Sequence, residues 1–308
     1  MRRIAAATLA AVLAGGIAAT PARTSDTPEM LSGPDGSGRL HMVTFNVCDG
    51  QGPARIECDG SSSGKALYIK SLMNAWTTHV ASFQEICYST YLELVATLGS
   101  GWDGEFNHTY PQDQGDCTWG TSWGLAIFIH AAPPRFSNVT SETLPVYPPP
   151  NGENREILCG NVTYFSGFRL CSTHVHKDGP SSQTDSVAAK IDYWSSRNAA
   201  LILGADMNVN ILTGCTVTSG RMNRFYTDKY GRHHRECGPG FGDYYEADNA
   251  TGYASPDVYE EATTLTGQKL DYIFFNRQRF QDGNYGGAVT GTTISDHDLV
   301  KGAMNIHD

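Results

Sequence analysis

The chain has 308 residues and a formal net charge of −10. That length supports one large α/β domain or two small ones, with a sizeable core. An acidic chain has no overall field that attracts nucleic acid or anionic membrane, so binding either one needs a local basic patch or a bridging cation.

Arg2 and Arg3 precede an apolar run from Ile4 to Ala19, and Thr20-Pro21-Ala22 offers a small-residue cleavage site. The run is shorter than the roughly 20 residues of a membrane span and is diluted by Gly15 and Gly16. Residues 1–22 are therefore expected to be a secretory signal peptide, 23–38 a flexible leader and 39–308 the folded domain. The mature product is expected to be secreted, without a stable membrane anchor, and monomeric. Eight cysteines without a close CxxC pair agree with an oxidising compartment. Sequential pairing is expected (48 with 58, 87 with 117, 159 with 171, 215 with 237), because each neighbouring pair encloses a loop or hairpin.

Residues 39–47 alternate as a strand that delivers Asn46, and 50–63 is a turn-rich loop. Leu67, Ile69, Leu72, Met73 and Trp76 give 65–76 near-helical spacing. A second strand, 80–86, carries Gln84-Glu85 at its end, and a helix over 90–98 closes at Gly99. A strand and a polar loop follow over 102–116, then strands over 123–130 and 135–144 and a proline-rich connection. Residues 156–164 and 167–175 read as a hairpin whose second strand ends at Thr173-His174. A helix over 182–197 leads into the apolar run 199–203, which reads as a strand buried on both faces. It opens into Asp206 and Asn208, which share a face because they lie two residues apart. Beyond a long irregular section, 211–266, come strands over 269–275 (carrying Asp271), 285–292 and 299–305, the last preceded by Ser295-Asp296-His297.

Each of these side chains has a plain structural explanation alone: a turn asparagine, a salt-bridged glutamate, a packing histidine. Together, Asn46, Glu85, His174, Asp206 with Asn208, and Asp296 with His297 supply hard oxygen ligands, two imidazoles and amides. That set suits metal-assisted hydrolysis of phosphoesters.

The motifs Thr44-Phe45-Asn46-Val47, Phe83-Gln84-Glu85, Ser172-Thr173-His174, Gly204-Ala205-Asp206-Met207-Asn208, Leu270-Asp271-Tyr272-Ile273 and Ser295-Asp296-His297 resemble the endonuclease/exonuclease/phosphatase superfamily across residues 40–304. This group of deoxyribonuclease-like enzymes includes sphingomyelinases. The resemblance implies a four-layer α/β sandwich, two central mixed sheets face to face with helices outside. It implies Glu85 as the main carboxylate for Mg²⁺ (with Mn²⁺ or Ca²⁺ as substitutes) and Asn46 and Asp296 as neighbouring ligands. Asp206 would activate the attacking water, Asn208 would hold a phosphate oxygen, and His174 and His297 would flank the phosphate. The resemblance leaves open which histidine carries protons. Asp243 matches the acid that holds the final histidine in its tautomer in some members, and a turn aspartate after Gly242 is the alternative. Asp271 would support these groups from behind without acting on the substrate itself.

Two departures bear on substrate. Pancreatic-type deoxyribonucleases have an acid just before the 123–130 strand that pairs with the first histidine, whereas here that place reads Trp123-Gly124. The Gly-Ala-Asp-Met-Asn wording and Lys177-Asp178 also resemble bacterial sphingomyelinases. Substrate contact is expected from a locally basic, aromatic segment that holds Arg221, Arg224 and Arg232 with Phe225, Tyr226 and Tyr230. The expected activity is a secreted, Mg²⁺-dependent phosphodiesterase acting on nucleic acid. A sphingomyelinase-type phospholipid phosphodiesterase and a non-catalytic binding protein are the alternatives.

Overall fold

A computed structural model of the chain describes residues 39–49, 58, 60–110, 117, 122–130, 136–145, 153–162, 167–197, 199–210, 220–226, 244–247 and 262–306. The expected signal peptide and leader, Asp243, Arg232, Cys215 and Cys237 lie outside these residues.

The first sheet contains β1 (Arg39–Asn46), β2 (Val80–Cys87), β3 (Trp102–His108), β4 (Trp123–His130), β11 (Phe280–Thr290) and β12 (Leu299–Ile306), ordered β11-β12-β1-β2-β4-β3. The second contains β5 (Phe136–Thr143), β6 (Glu156–Val162), β7 (Phe168–His174), β8 (Ala200–Asp206), β9 (Tyr244–Glu246) and β10 (Asp271–Asn276), ordered β5-β6-β7-β8-β10-β9. Both follow one plan. A central parallel pair, β1 with β2 or β7 with β8, is flanked by antiparallel neighbours.

Strand alternation builds the layers. Met42, Val80, Leu125 and Ile127 face Leu158, Leu170, Ile202 and Ile273 between the sheets. The opposite faces, with Val43, Phe45, Ala81 and Phe83, pack on helices α1 (Ser62–Ala75) and α2 (Tyr88–Leu98) through Ala66, Ile69, Met73 and Leu94. Leu201, Leu203, Ala205 and Phe274 pack on α3 (Ser181–Ser195) through Val187, Ala188 and Ile191. The result is the expected four-layer α/β sandwich. Truncating a core residue such as Ile202 to alanine would cost about 2–5 kcal/mol.

Gly204 lies where the two sheets approach closely. A Cβ built there would meet Ser82 Oγ at 1.9 Å and Met42 Cε at 2.6 Å. The space is filled instead by a buried polar strut. Gln84 Nε2 donates to Thr44 Oγ1 (3.2 Å) in its own sheet and to Ser172 Oγ (3.0 Å) in the other, while Ser82 Oγ donates to Thr44 Oγ1 (2.8 Å).

Helix α1 starts before the expected residue 65 because the Ser61 side chain accepts from Gly64 N at 3.1 Å and caps it. Helix α2 closes at Gly99, where φ is +83°. In 211–266 a 3-10 turn (Gly220–Met222), the short α4 (Asn223–Tyr226) and the three-residue β9 are too brief to carry a periodic signal. Strand β11 begins earlier than expected because a register shift between Phe280 and Tyr285 breaks its alternation. Disulfides Cys48–Cys58, Cys87–Cys117 and Cys159–Cys171 match the sequential pairing, and the fourth pair lies outside the described residues. No helix among the described residues is long and apolar enough to cross a membrane.

Candidate active site

The shared plan of the two sheets decides where polar side chains collect. The parallel pairs β1/β2 and β7/β8 end at one edge of the sandwich, and their antiparallel neighbours begin at that edge. Asn46, Glu85, His174 and Asp206 come from the strand ends. Asp271 opens β10 directly opposite Asp206, and Asp296-His297 leads into β12.

Local backbone geometry aims these groups. Glu85 has φ +49° and sits at the irregularity in β2/β4 pairing between Phe83 and Ile86, a bulge that redirects its side chain. Asn208 has φ +48° and donates its backbone N–H to Asp206 Oδ1 at 2.8 Å, an Asx turn that closes β8. Non-glycine residues in this left-handed region carry a strain of about 1 kcal/mol or more, which clusters at functional sites.

Asp206 is almost fully buried and central. Its Oδ2 accepts from Asn46 Nδ2 (2.9 Å) and lies 3.4 Å from His174 Nε2 and 3.9 Å from His297 Nε2. His297 Nδ1 donates to Asp271 Oδ2 (2.8 Å), which also accepts from Thr263 Oγ1 (2.7 Å). Asp271 Oδ1 is buried with no partner among the described residues, so its charge is balanced chiefly by an imidazolium. Asp271, a carboxylate already in the predicted β10 strand, thus hydrogen-bonds His297, and Asp243, to which the resemblance gave that contact, lies outside the described residues.

The two histidines differ in charge. Burial would lower the pKa of His297, but Asp271, by charge and hydrogen bond, with Asp206 and Asp296, pushes it up to about 10. Burial drives His174 well below its ordinary value, and the charges of Arg155, His297 and His176 add to this. His174 is therefore neutral and His297 charged. Burial, then the Asp271 charge, raises Asp206 to about 7, against the pull of His297 and Asn46.

Asn208 Nδ2 donates to His174 Nε2 (2.9 Å) and Val175 O (2.8 Å). Its amide hydrogens thus hold His174, where the sequence suggested a phosphate oxygen. The place of the missing acid near Trp123 is not taken by Glu85, whose Oε1 lies 3.7 Å from His174 Nδ1. That is beyond hydrogen-bonding distance.

Two further residues enter at the same edge, just before β6 begins: Glu153 and Arg155. Arg155 Nη2 pairs with Glu153 Oε2 at 2.8 Å, while Arg155 Nε and Nη1 are buried with no acceptor among the described residues. Burial raises Glu153 to about 7 against Arg155, with Glu85 and Asp206 adding repulsion, so all three acids share one neighbourhood. Neither residue was anticipated, although antiparallel pairing of β6 to β7 was the available signal.

Arg221 donates to the backbone oxygens of Lys177 (2.6 Å) and His176 (2.7 Å), and Arg224 pairs with Asp192 of α3 at 2.5 Å. These guanidinium groups brace the segment after His174 and the outer helix, the tasks that their loop leaves them close enough to perform.

For a divalent cation, Glu85 is the fitting donor. Its carboxylate is partly exposed, and no lysine or arginine pairs with it among the described residues. Asn46 adjoins it on β1, and Ser295 Oγ donates to Asn46 O (2.8 Å), which brings Asp296 to the same rim. Asp206, Asp271 and His297 also bring ligand atoms within 4.8 Å and could hold a metal. There the direct His297–Asp271 bond already occupies one ligand atom of each side chain, so hard-cation chemistry favours Glu85.

No protein-family model and no curated protein sequence matches this chain. Solved structures do. The catalytic domain of human Nocturnin with a bound sulfate anion superposes with a TM-score of 0.62 at 15% identity, covering 87% of this chain and 94% of that one. An endonuclease/exonuclease/phosphatase family protein from Bacteroides thetaiotaomicron gives 0.58 at 17% identity, covering 88% and 98%. Truncated Caenorhabditis elegans TDP2 gives 0.55 at 10%, covering 87% and 97%. The chain has the endonuclease/exonuclease/phosphatase fold. In this fold the described side chains meet where the ends of both sheets converge.

Proposed function

We propose that this protein is a metal-dependent phosphodiesterase that hydrolyses nucleic acid. The observation that carries the reading is the Asp271–His297 pair facing a buried Asp206, with neutral His174 opposite and Glu85 beside it.

A divalent cation held by Glu85, with Asn46 and Asp296 alongside, would supply Lewis-acid stabilisation of charge on the phosphate; Mg²⁺ is the proposed ion. Asp206, once deprotonated, takes the proton of the attacking water at Oδ2, and Asn46 fixes that oxygen. His297, kept charged by Asp271, donates from Nε2 to the non-bridging oxygen on which charge grows. His174, held by Asn208, borders the same oxygen atoms without adding charge. Arg155 offers Nε and Nη1 to a phosphate oxygen, an acceptor that these buried nitrogens lack among the described residues. The sulfate bound by the Nocturnin domain is an anion of the same shape as phosphate, which supports an anion-binding site in this fold.

The reading also takes the chain to be exported, on its N-terminal Arg2-Arg3 and apolar run and its disulfides. It takes the mature protein to be a monomer without a membrane anchor, which size-exclusion chromatography of secreted material tests.

The deciding experiment compares plasmid DNA, RNA and sphingomyelin as substrates with Mg²⁺ and with EDTA, alongside His297→Ala. Cleavage of nucleic acid, lost in EDTA and in the variant, is expected. Release of phosphocholine alone would move the protein to phospholipid substrates, and no turnover by folded, metal-supplied protein would overturn the enzymatic reading.

A further inference from the structure

Arg155 is poorly satisfied for a buried arginine. Arg169, buried in the second sheet, donates to Asn161 Oδ1 (2.6 Å), Thr140 Oγ1 (2.7 Å) and Asn138 O (3.4 Å), and stacks on Trp194 at 3.9 Å. Arg155 has one carboxylate contact, through Nη2, and two buried nitrogens without acceptors among the described residues, against one, Nε, in Arg169. Arg155 precedes Glu156, whose backbone oxygen accepts from Thr173 Oγ1 at 2.7 Å next to His174, so its side chain stems from the edge at which His174 lies.

Glu153 is buried more deeply, at 4% exposure. The Asn154 N–H donates to Thr109 O (2.8 Å), and Thr109 also hydrogen-bonds the Glu153 side chain. The carboxylate is thus anchored to the segment after β3 on one side and to Arg155 on the other. It stands near two other acids, Glu85 and Asp206, an arrangement that repulsion and desolvation disfavour.

We propose that Glu153 is a positioning residue for substrate: its carboxylate orients the Arg155 guanidinium so that Nε and Nη1 remain available to phosphate oxygens. The inference rests on the phosphodiesterase reading and assigns Glu153 no contact with the substrate.

The test uses Glu153→Ala, Glu153→Gln and Arg155→Ala in the full chain. Affinity for inorganic phosphate is read by calorimetry, and kcat and KM are read on bis(p-nitrophenyl) phosphate. Both Glu153 variants remove the same negative charge, but Gln keeps an oxygen that can accept from Arg155. Positioning predicts that Glu153→Ala weakens phosphate binding and raises KM about tenfold with kcat within about twofold, and that Glu153→Gln recovers most of the loss. In the Arg155→Ala background, Glu153→Ala should add less than about twofold. Tighter phosphate binding in both variants would mean that Glu153 acts by charge alone and would overturn the proposal. So would losses that multiply with Arg155→Ala, or a lowered melting temperature with unchanged affinity. If Glu153→Ala does not fold, Thr109→Val, which removes a hydrogen bond to Glu153, is read in the same way. Phosphate binding needs no turnover. A wild-type chain that binds phosphate through Arg155 but cleaves no diester would overturn the proposed function and leave this inference standing.

Discussion

The first sheet and the second sheet share a parallel central pair with antiparallel flanks, yet they bring different chemistry to their common edge. From the first come buried Asn46 and the partly exposed carboxylates Glu85 and Asp296, with Glu85 carrying no lysine or arginine partner among the described residues. From the second come buried Asp206, Asp271 and His174, with the partly exposed Asn208 hydrogen-bonded to Asp206 at 2.8 Å and to His174 at 2.9 Å. His297 enters from the first sheet but is held by Asp271 of the second. The difference teaches that one side leaves charge for a cation to complete, whereas the other completes its charges internally. Burial with a hydrogen-bonded carboxylate makes one imidazole charged, and burial without such a bond makes the other neutral.

The severest way to break this comparison is at the second sheet. Asp206→Asn keeps the shape and the Asn46 contact but removes the base, and kcat should fall about 10³- to 10⁴-fold with substrate affinity little changed. Steady-state kinetics under saturating metal checks this, and a loss confined to KM would remove Asp206 from proton transfer.

Asp271→Asn should have the next largest effect, a fall in kcat of about a hundredfold, because the charge on His297 loses its support. In the wild type, activity should rise as Asp206 deprotonates near its raised value of about 7 and decline as His297 loses its proton near about 10. Removing the Asp271 carboxylate lowers the pKa of His297, so the alkaline limb should move to lower pH. It also removes a raising influence on Asp206, so the acid limb should move down as well. A pH–rate profile in which both limbs stay fixed would detach Asp271 from the pair.

At the first sheet the effect should fall on metal binding. Glu85→Gln should weaken activation by Mg²⁺ about 10- to 100-fold, readable as a shift of the metal concentration needed for half-maximal rate. The second-sheet pair should be untouched, so the pH limits at saturating metal should stay where the wild type has them.

Much of this edge was legible in the sequence because parallel strands end at it. Apolar runs that break into Asn46, Glu85, His174 and Asp206 announce themselves one strand at a time. Groups on the antiparallel neighbours were harder to see, since they precede their strands. Glu153 and Arg155 follow a proline-rich connection and have no periodic context. Asp271 was read as support, yet its bond to His297 depends on which strand lies beside β8, and strand order is a tertiary property. Left-handed Glu85 was not foreseeable from residue type, because a glutamate adopts that conformation when a bulge and its surroundings impose it. Arg221 and Arg224 stood out by composition, and their actual contacts follow from helix α3 and the 176–177 backbone lying within reach.

The mildest and most local way to sharpen the comparison is to disturb the strut between the sheets. Gln84 lies beside Glu85 in the first sheet and donates to Ser172 Oγ in the second, two residues before His174. Gln84→Leu keeps the approximate volume but leaves Ser172 and Thr44 with fewer partners in a buried site, a cost of about 1–3 kcal/mol. If the strut sets the spacing between the cation side and the base side, kcat should fall about threefold to tenfold, since small misplacements of reacting groups slow chemistry. Neither pH limit should move, because no titrating group is removed. Metal activation should be little altered, because Glu85 remains. A variant that loses stability but keeps its full kcat at a temperature where it is folded would show that the sheets hold their spacing by apolar packing alone.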